Sequence, residues 1–292
     1  MTWWDDPDAT AAYLRQLAAV DGVRLAQDSS GPFVDELLPM PVGGPQGVSV
    51  RVQDDTLRAV AHRVVTGPVN GQALANHTVV NEAPYAGRAY PSTDGTATDG
   101  TATDLSVGLP LPAERPEAGR ALIPPLRDLL GMVRSGAAQL RGGLAPEHTG
   151  PRGPDPATTL VRATEALLSL GHDVTADRGR ADLVLDVDGT ACAVVVYPVG
   201  AAVLAARAVP LDGSRVDADD DLLRRFGTWN REAAAGAAGW SAVSHAVHGV
   251  CSFPPGVTPV SARSVGWLVH HAAAAASAAH RLVAAPVPGD RG

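Results

Sequence analysis

The stretch ADLVLDVDGTACAVVVYP, residues 181–198, decides between two folds. Its apolar run ending in D-x-D-G-T can serve phosphoryl transfer, with Asp186 as nucleophile and Asp188 as general acid. The same letters describe two short strands joined by a tight Asp-Gly turn, the strongest short hairpin signal. One reading places chemistry at Asp186, and the other places a bend there.

Self-similarity along the chain bears on the choice. At a displacement of 149 residues the two halves match: DPDAT (6–10) falls on DPATT (155–159), RAV (58–60) on RAV (207–209), and Asn81 on Asn230. Beyond the second helix the displacement shrinks to about 143, because the first half carries the tandem TDGTATDGTATD (93–104), which reads as an expanded hairpin turn. Each half starts with Asp-Pro, a good N-cap and N1 pair. Three alternating apolar runs follow, 32–40, 47–53 and 56–65 in the first half and 181–187, 190–198 and 201–211 in the second. A second helix comes next, around 70–83 and 217–233. Two more strands, 86–91 with 104–111 and 240–247 with 249–255, precede a closing helix. The closing stripes are Leu126, Leu129, Leu130, Val133, Ala137 and Leu140 in one half, and Val265, Leu268, Val269, Ala272, Ala276 and Leu282 in the other. The expected fold class is therefore α+β: two tandem α-β-β-β-α-β-β-α domains, each an antiparallel sheet packed by helices. Their bounds are 1–142 and 155–287, joined by a Gly/Pro-rich linker, 143–154.

The repeat weighs on the motif. Asp186 and Asp188 fall on Leu37 and Pro39 of the first half. The haloacid-dehalogenase superfamily, whose pattern DVDGT resembles, uses a Lys cation, and this chain has no Lys. ACAVVVYP continues as a strand where those enzymes place a helix. As a hairpin, Leu183, Leu185 and Val187 share a face with Cys192 and Val194. A degenerate Mg²⁺-dependent phosphohydrolase built on Asp186 and Asp188 stays open as the alternative function.

Acidic residues number 31 against 23 basic ones, a net charge of −8, and the arginines are scattered. Nucleic acid is not an expected partner. No stretch of about 18 apolar residues suits a membrane span, and the N-terminus is acidic where a secretory signal is basic, so a cytoplasmic location is expected. Cys192 and Cys251 read as reduced, buried small residues. His245 and His248 fall in one strand on opposite faces, and His270, His271 and His280 lack i, i+4 spacing, so no metal site is expected. DADDD (217–221) reads as a helix N-terminus. Trp229, Trp240 and Trp267 form either one shared core or an apolar groove for a partner. Trp3 and Trp4 form either a staple or an exposed end. Asn81 and Asn230 bond a helix end, or they meet a partner.

The segment FGTWNREAAAGAAGWSAVSHAVHGVCSFPPGVTPVSARSVGWLV (226–269) resembles the type III secretion chaperone-like fold, especially its YbjN-like branch. It has an Asn late in the second helix, then a strand pair and a closing helix. The first half resembles it more loosely, through VVNEAPYAGRAY and the strand at DLSVGLPL. The resemblance implies a non-enzymatic, chaperone-like protein without cofactor, binding a peptide or protein partner. It also implies that the two copies form an internal pseudo-dimer. Asn81, Trp229, Asn230, Trp240 and Trp267 are the candidate partner-binding residues, of which Asn81 and Asn230 match a recurrent position of the family. A structural or regulatory assembly module is the remaining alternative.

Overall fold

The structure, a computed structural model, describes residues 2–21, 24–28, 31–38, 46–83, 87–92, 102–116, 123–141, 153–213 and 215–285. The first half runs α1 (Pro7–Asp21), β1 (Arg24–Asp28), β2 (Gly31–Leu38), β3 (Gln46–Gln53), β4 (Thr56–Thr66), α2 (Gly71–Glu82), β5 (Arg88–Pro91), β6 (Ala102–Pro110) and α3 (Ile123–Leu140). The second runs α4 (Pro156–Ser169), β7 (Thr175–Asp177), β8 (Arg180–Val187), β9 (Thr190–Val199), β10 (Val203–Pro210), α5 (Asp220–Glu232), β11 (Ala237–Ser241), β12 (Ala246–Phe253) and α6 (Ala262–Ala284). Each half makes one six-stranded antiparallel sheet, β1-β2-β3-β4-β6-β5 and β7-β8-β9-β10-β12-β11. The fold is α+β with two sheets of the same strand order. The tandem turn at 93–101 and most of the linker, 143–152, lie outside the described residues.

Local chemistry accounts for the element ends. Asp155 caps α4 by accepting from the Ala157 and Thr158 amides, and Asp219 caps α5 through the Leu222 amide at 2.8 Å. DVDGT is the β8–β9 hairpin: Val187 stands opposite Thr190, and Asp188 and Gly189 have φ of 52° and 76°, the two left-handed positions of a type I′ turn. Asp186 is exposed and accepts from the Gly189 amide, while Asp188 accepts from Arg281.

Three sequence expectations are corrected. Each sheet has one more strand than the pattern gives, β1 and β7. Both are polar edge strands, and β7 is exposed throughout, so neither shows an apolar alternation. The strand expected at 240–247 is instead the end of β11, a turn and the start of β12. His245 sits in that turn at φ 52°, with its amide on the Ser241 carbonyl, so it does not share a strand with His248. The RAV identity is also out of register. Ala89 pairs with Leu105, and two residues on Val107 pairs with Ala59; in the second sheet Ala238 pairs with Gly249, and Cys251 pairs with Ala206. Ala59 therefore corresponds to Ala206, two residues short of the match that the letters suggest.

Helices cover one face of each sheet. Tyr13, Leu14 and Leu17 of α1 and Leu129 and Val133 of α3 bury Val48, Val50, Ala59 and Leu105. Leu167 of α4 and Val265, Leu268 and Ala272 of α6 bury Leu183, Cys192, Val194 and Ala206. These residues form one continuous apolar core across both halves. The small residues of α6 let it settle onto the sheet backbone: a Cβ on Gly249 would lie 2.1 Å from the Ala272 carbonyl oxygen. Cys192 and Cys251 are buried and unpaired, and burial raises their thiols to about 11 and about 12. Among the described residues no helix is long and apolar enough to cross a membrane.

Candidate functional site

The halves meet around a pseudo-two-fold axis. Gly71, first in α2, lies against Asp220, first in α5; a Cβ there would come 3.1 Å from the Asp220 carboxylate. Leu74, His77 and Thr78 of α2 line a small void with Leu223, Phe226 and Gly227 of α5, each pair 149 residues apart. Each of these helices also packs on the edge strand of the other half, α2 on β11 and α5 on β5.

Asn81 and Asn230 occupy matching places beside this axis. The Asn81 side chain accepts from the Ala89 amide at 2.7 Å and donates to the Ala89 carbonyl at 3.2 Å. Asn230 does the same with Ala238, at 2.8 and 3.0 Å. A carboxamide carries one acceptor and one donor side by side, as a peptide does. Each Asn therefore stands where the next strand would be and closes the edges β5 and β11. Both residues are buried.

The tryptophans divide between two clusters. Trp267 is buried in the continuous core and donates to Thr56 Oγ1 of the first half at 3.0 Å. Trp229 and Trp240 are half-buried around a smaller cluster of Leu222, Phe226 and Val247, with the Trp240 indole donating to the Val216 carbonyl. Trp3 packs on Tyr13 and donates to the Pro112 carbonyl, and Trp4 lies under the Arg263 guanidinium of the second half. The first-half N-terminus is thus stapled onto both halves.

Symmetry breaks at Arg88, whose counterpart is Ala237. The Arg88 guanidinium is buried and donates to the carbonyls of Ala233, Ala234 and Gly236 at 2.8, 3.0 and 3.1 Å, and to Ser106 Oγ. Burial first, then the nearby Arg58 charge, pushes it down to about 9, so it remains cationic at neutral pH.

Two histidines at the junction carry a pH consequence. His77 bonds Thr103 Oγ1 at 2.8 Å, and burial lowers it to about 4. Among the described residues neither ring nitrogen of His248 makes a side-chain hydrogen bond, although Nδ1 lies 4.0 Å from Glu82 Oε1, and burial, then Arg207, lowers the imidazole to about 3. Both folded values lie below the unfolded value of 6.5. The unfolded chain therefore takes up protons first as pH falls, and stability declines from about pH 6.5 down to the folded values. Urea unfolding at about pH 4.5 should give roughly 2.5 kcal/mol less stability per histidine than at neutral pH. His77→Phe, which installs the residue of the matching position, should remove about half of that decline. An unchanged pH dependence would contradict the buried neutral state of His77.

On the first sheet, the face away from α1 and α3 is polar and forms a cleft of about 620 Å³. Arg51, Arg58, Arg63, Arg231 and Asp104 line it with Ser49, His62 and Tyr90. His62 follows Arg58 and Val60 on the cleft face, and a bulge in β4, with Arg63 at φ 55°, comes directly after it. Ser49 Oγ is 2.9 Å from His62 Nε2, and His62 Nδ1 is 3.7 Å from Asp104 Oδ2. That last distance exceeds a hydrogen bond, Ser49 is only 4% exposed, and the Asp104 carboxylate accepts from the Arg63 amide instead. The three form a polar strip across β3, β4 and β6. The matching face of the second sheet is mixed: Val195, Tyr197 and Val209 are half-buried and Val184 is 60% exposed, and Asp182, Asp186 and Arg207 share that face. Sequence reasoning missed the cleft because its residues come from separate strands, where they read as ordinary polar positions. Compared with protein-family models, curated proteins and solved structures, the chain matches none.

Proposed function

We propose that this protein binds an extended segment of a partner protein on the outer face of its first sheet and performs no chemistry on it. The observation that carries the reading is the cleft of about 620 Å³, walled by β3, β4, β5 and β6 and by Arg231 near the end of α5. Helices α1 and α3 pack on one face of that sheet; on the other, the second half covers Thr56 and Arg88, and the cleft lies beside them. The two halves build it jointly, since Arg58 donates to the Arg231 carbonyl at 2.6 Å. A pseudo-dimeric, chaperone-like binding module fits this arrangement.

Hydrogen exchange tests the reading. The protein is mixed with a peptide library of varied sequence, and the bound peptides are identified. Protection should appear on β3, β4 and β6. If no peptide is retained, or protection falls only elsewhere, the reading fails.

A further inference from the structure

Three arginines lie in a diagonal row on the outer face of the first sheet. Arg51 stands directly opposite Arg58 in the β3–β4 ladder, a like-charge pair of the kind that destabilises a sheet. Arg88 follows on β5, buried against backbone carbonyls. Arg51 is compensated by Asp28, which accepts from its Nη1 at 2.8 Å. Arg58 differs. Its residue is only 9% exposed, and the oxygens it meets are all neutral: Gln53 Oε1 at 2.7 Å, Tyr90 Oη at 3.2 Å and the Arg231 carbonyl. Its Nε is buried without a hydrogen-bond partner.

A charge held this deeply, with no counter-charge among the described residues, costs several kcal/mol, and a donor without a partner adds to it. The cleft onto which Arg58 opens is lined by four arginines and one aspartate, in a chain whose net charge is −8. Arg51 is paired with Asp28, and Arg231 lies 3.7 Å from Glu232, whereas Arg58 meets only neutral oxygens among the described residues. Arg58 Nη1 carries one hydrogen beyond its bond to Gln53, and a carboxylate oxygen is the acceptor that suits it, through a charge-assisted bond.

We propose that Arg58, flanked by Arg51 and Tyr90, is a carboxylate-binding site, and that its ligand is a Glu or Asp side chain of the segment held in the cleft. The proposal rests on the binding reading above. The Arg58 guanidinium, which meets only neutral oxygens among the described residues, is what selects an acidic segment over a neutral one.

The test uses the full chain and two fluorescent peptides, one alternating Glu with Val and its twin with Gln in place of Glu. Anisotropy should show the Glu peptide binding about ten-fold more tightly than the Gln twin. The preference should fall as salt is raised, and Arg58→Gln should remove it. Should Arg58→Gln not fold, Arg51→Gln at the rim should still reduce the preference several-fold. Equal binding of the twins to the native protein overturns the carboxylate site and leaves the binding reading standing. Failure of both twins and of the varied library overturns the binding reading, and the site with it. Free glutarate that displaces the Glu peptide as effectively as unlabelled peptide would show a small-molecule site and overturn the assignment to a protein segment.

Discussion

Gly249→Ala is expected to be among the most damaging single substitutions in the chain. The added methyl carbon would sit 2.1 Å from the Ala272 carbonyl oxygen, 2.5 Å from the Ala276 nitrogen and 2.8 Å from the Ala275 Cβ. Two of these atoms are helix backbone, so no rotamer change relieves the clash. Helix α6 must move off β12, which opens the core formed by Val265, Leu268 and Ala272. A loss exceeding about 4 kcal/mol is expected, a large share of the total stability of a domain. Gly131→Ala in α3 is the control. Its new Cβ meets nothing within 4 Å, and the change should stabilise by about 0.5–1 kcal/mol through helix propensity. Urea midpoints of the two variants should therefore move in opposite directions. A Gly249→Ala protein as stable as the native one would mean that α6 does not lie against β12 as described.

The second large effect is expected at Asn230. Asn230→Ala removes both hydrogen bonds to Ala238 and leaves a buried amide and a buried carbonyl without partners. Each orphaned group costs about 1–3 kcal/mol, so roughly 3–5 kcal/mol in total is expected. Asn230→Asp keeps the shape but loses the donor and places a charge in a fully buried position, so it should be no milder. Asn81→Ala should cost a similar amount through Ala89. Loss of affinity for a bound segment with stability unchanged would instead assign these two residues to a binding surface.

Much of the fold was legible because it rests on local chemistry. The Asp-Pro helix starts, the Asp188-Gly189 turn and the stripes on α3 and α6 each follow from backbone geometry that a few adjacent residues set. Strands β1 and β7 were hidden because a sheet edge needs no apolar alternation. The β11–β12 turn was hidden because WSAVSHAV alternates straight through it, with neither Gly nor Asn-Gly to mark the bend. Asn81 and Asn230 stood out as a matched pair, yet their shared work as edge closures depends on backbone eight residues further on. The cleft could not be read at all. Arg58 is an unremarkable strand arginine until the sheet places it opposite Arg51 and the second half brings in Arg231.

The claim under all of this is that two copies of one unit bury their α2 and α5 faces against each other. Splitting the chain within 143–152 and producing the halves separately tests it most directly. The account predicts that neither half alone is a protected monomer, because Arg88, Thr56 and Leu74 lose their partners. Mixed or co-produced halves should form a one-to-one complex whose slowest-exchanging amides include β5, β6, β11 and β12. Two halves that each fold alone and stay apart when mixed would contradict it.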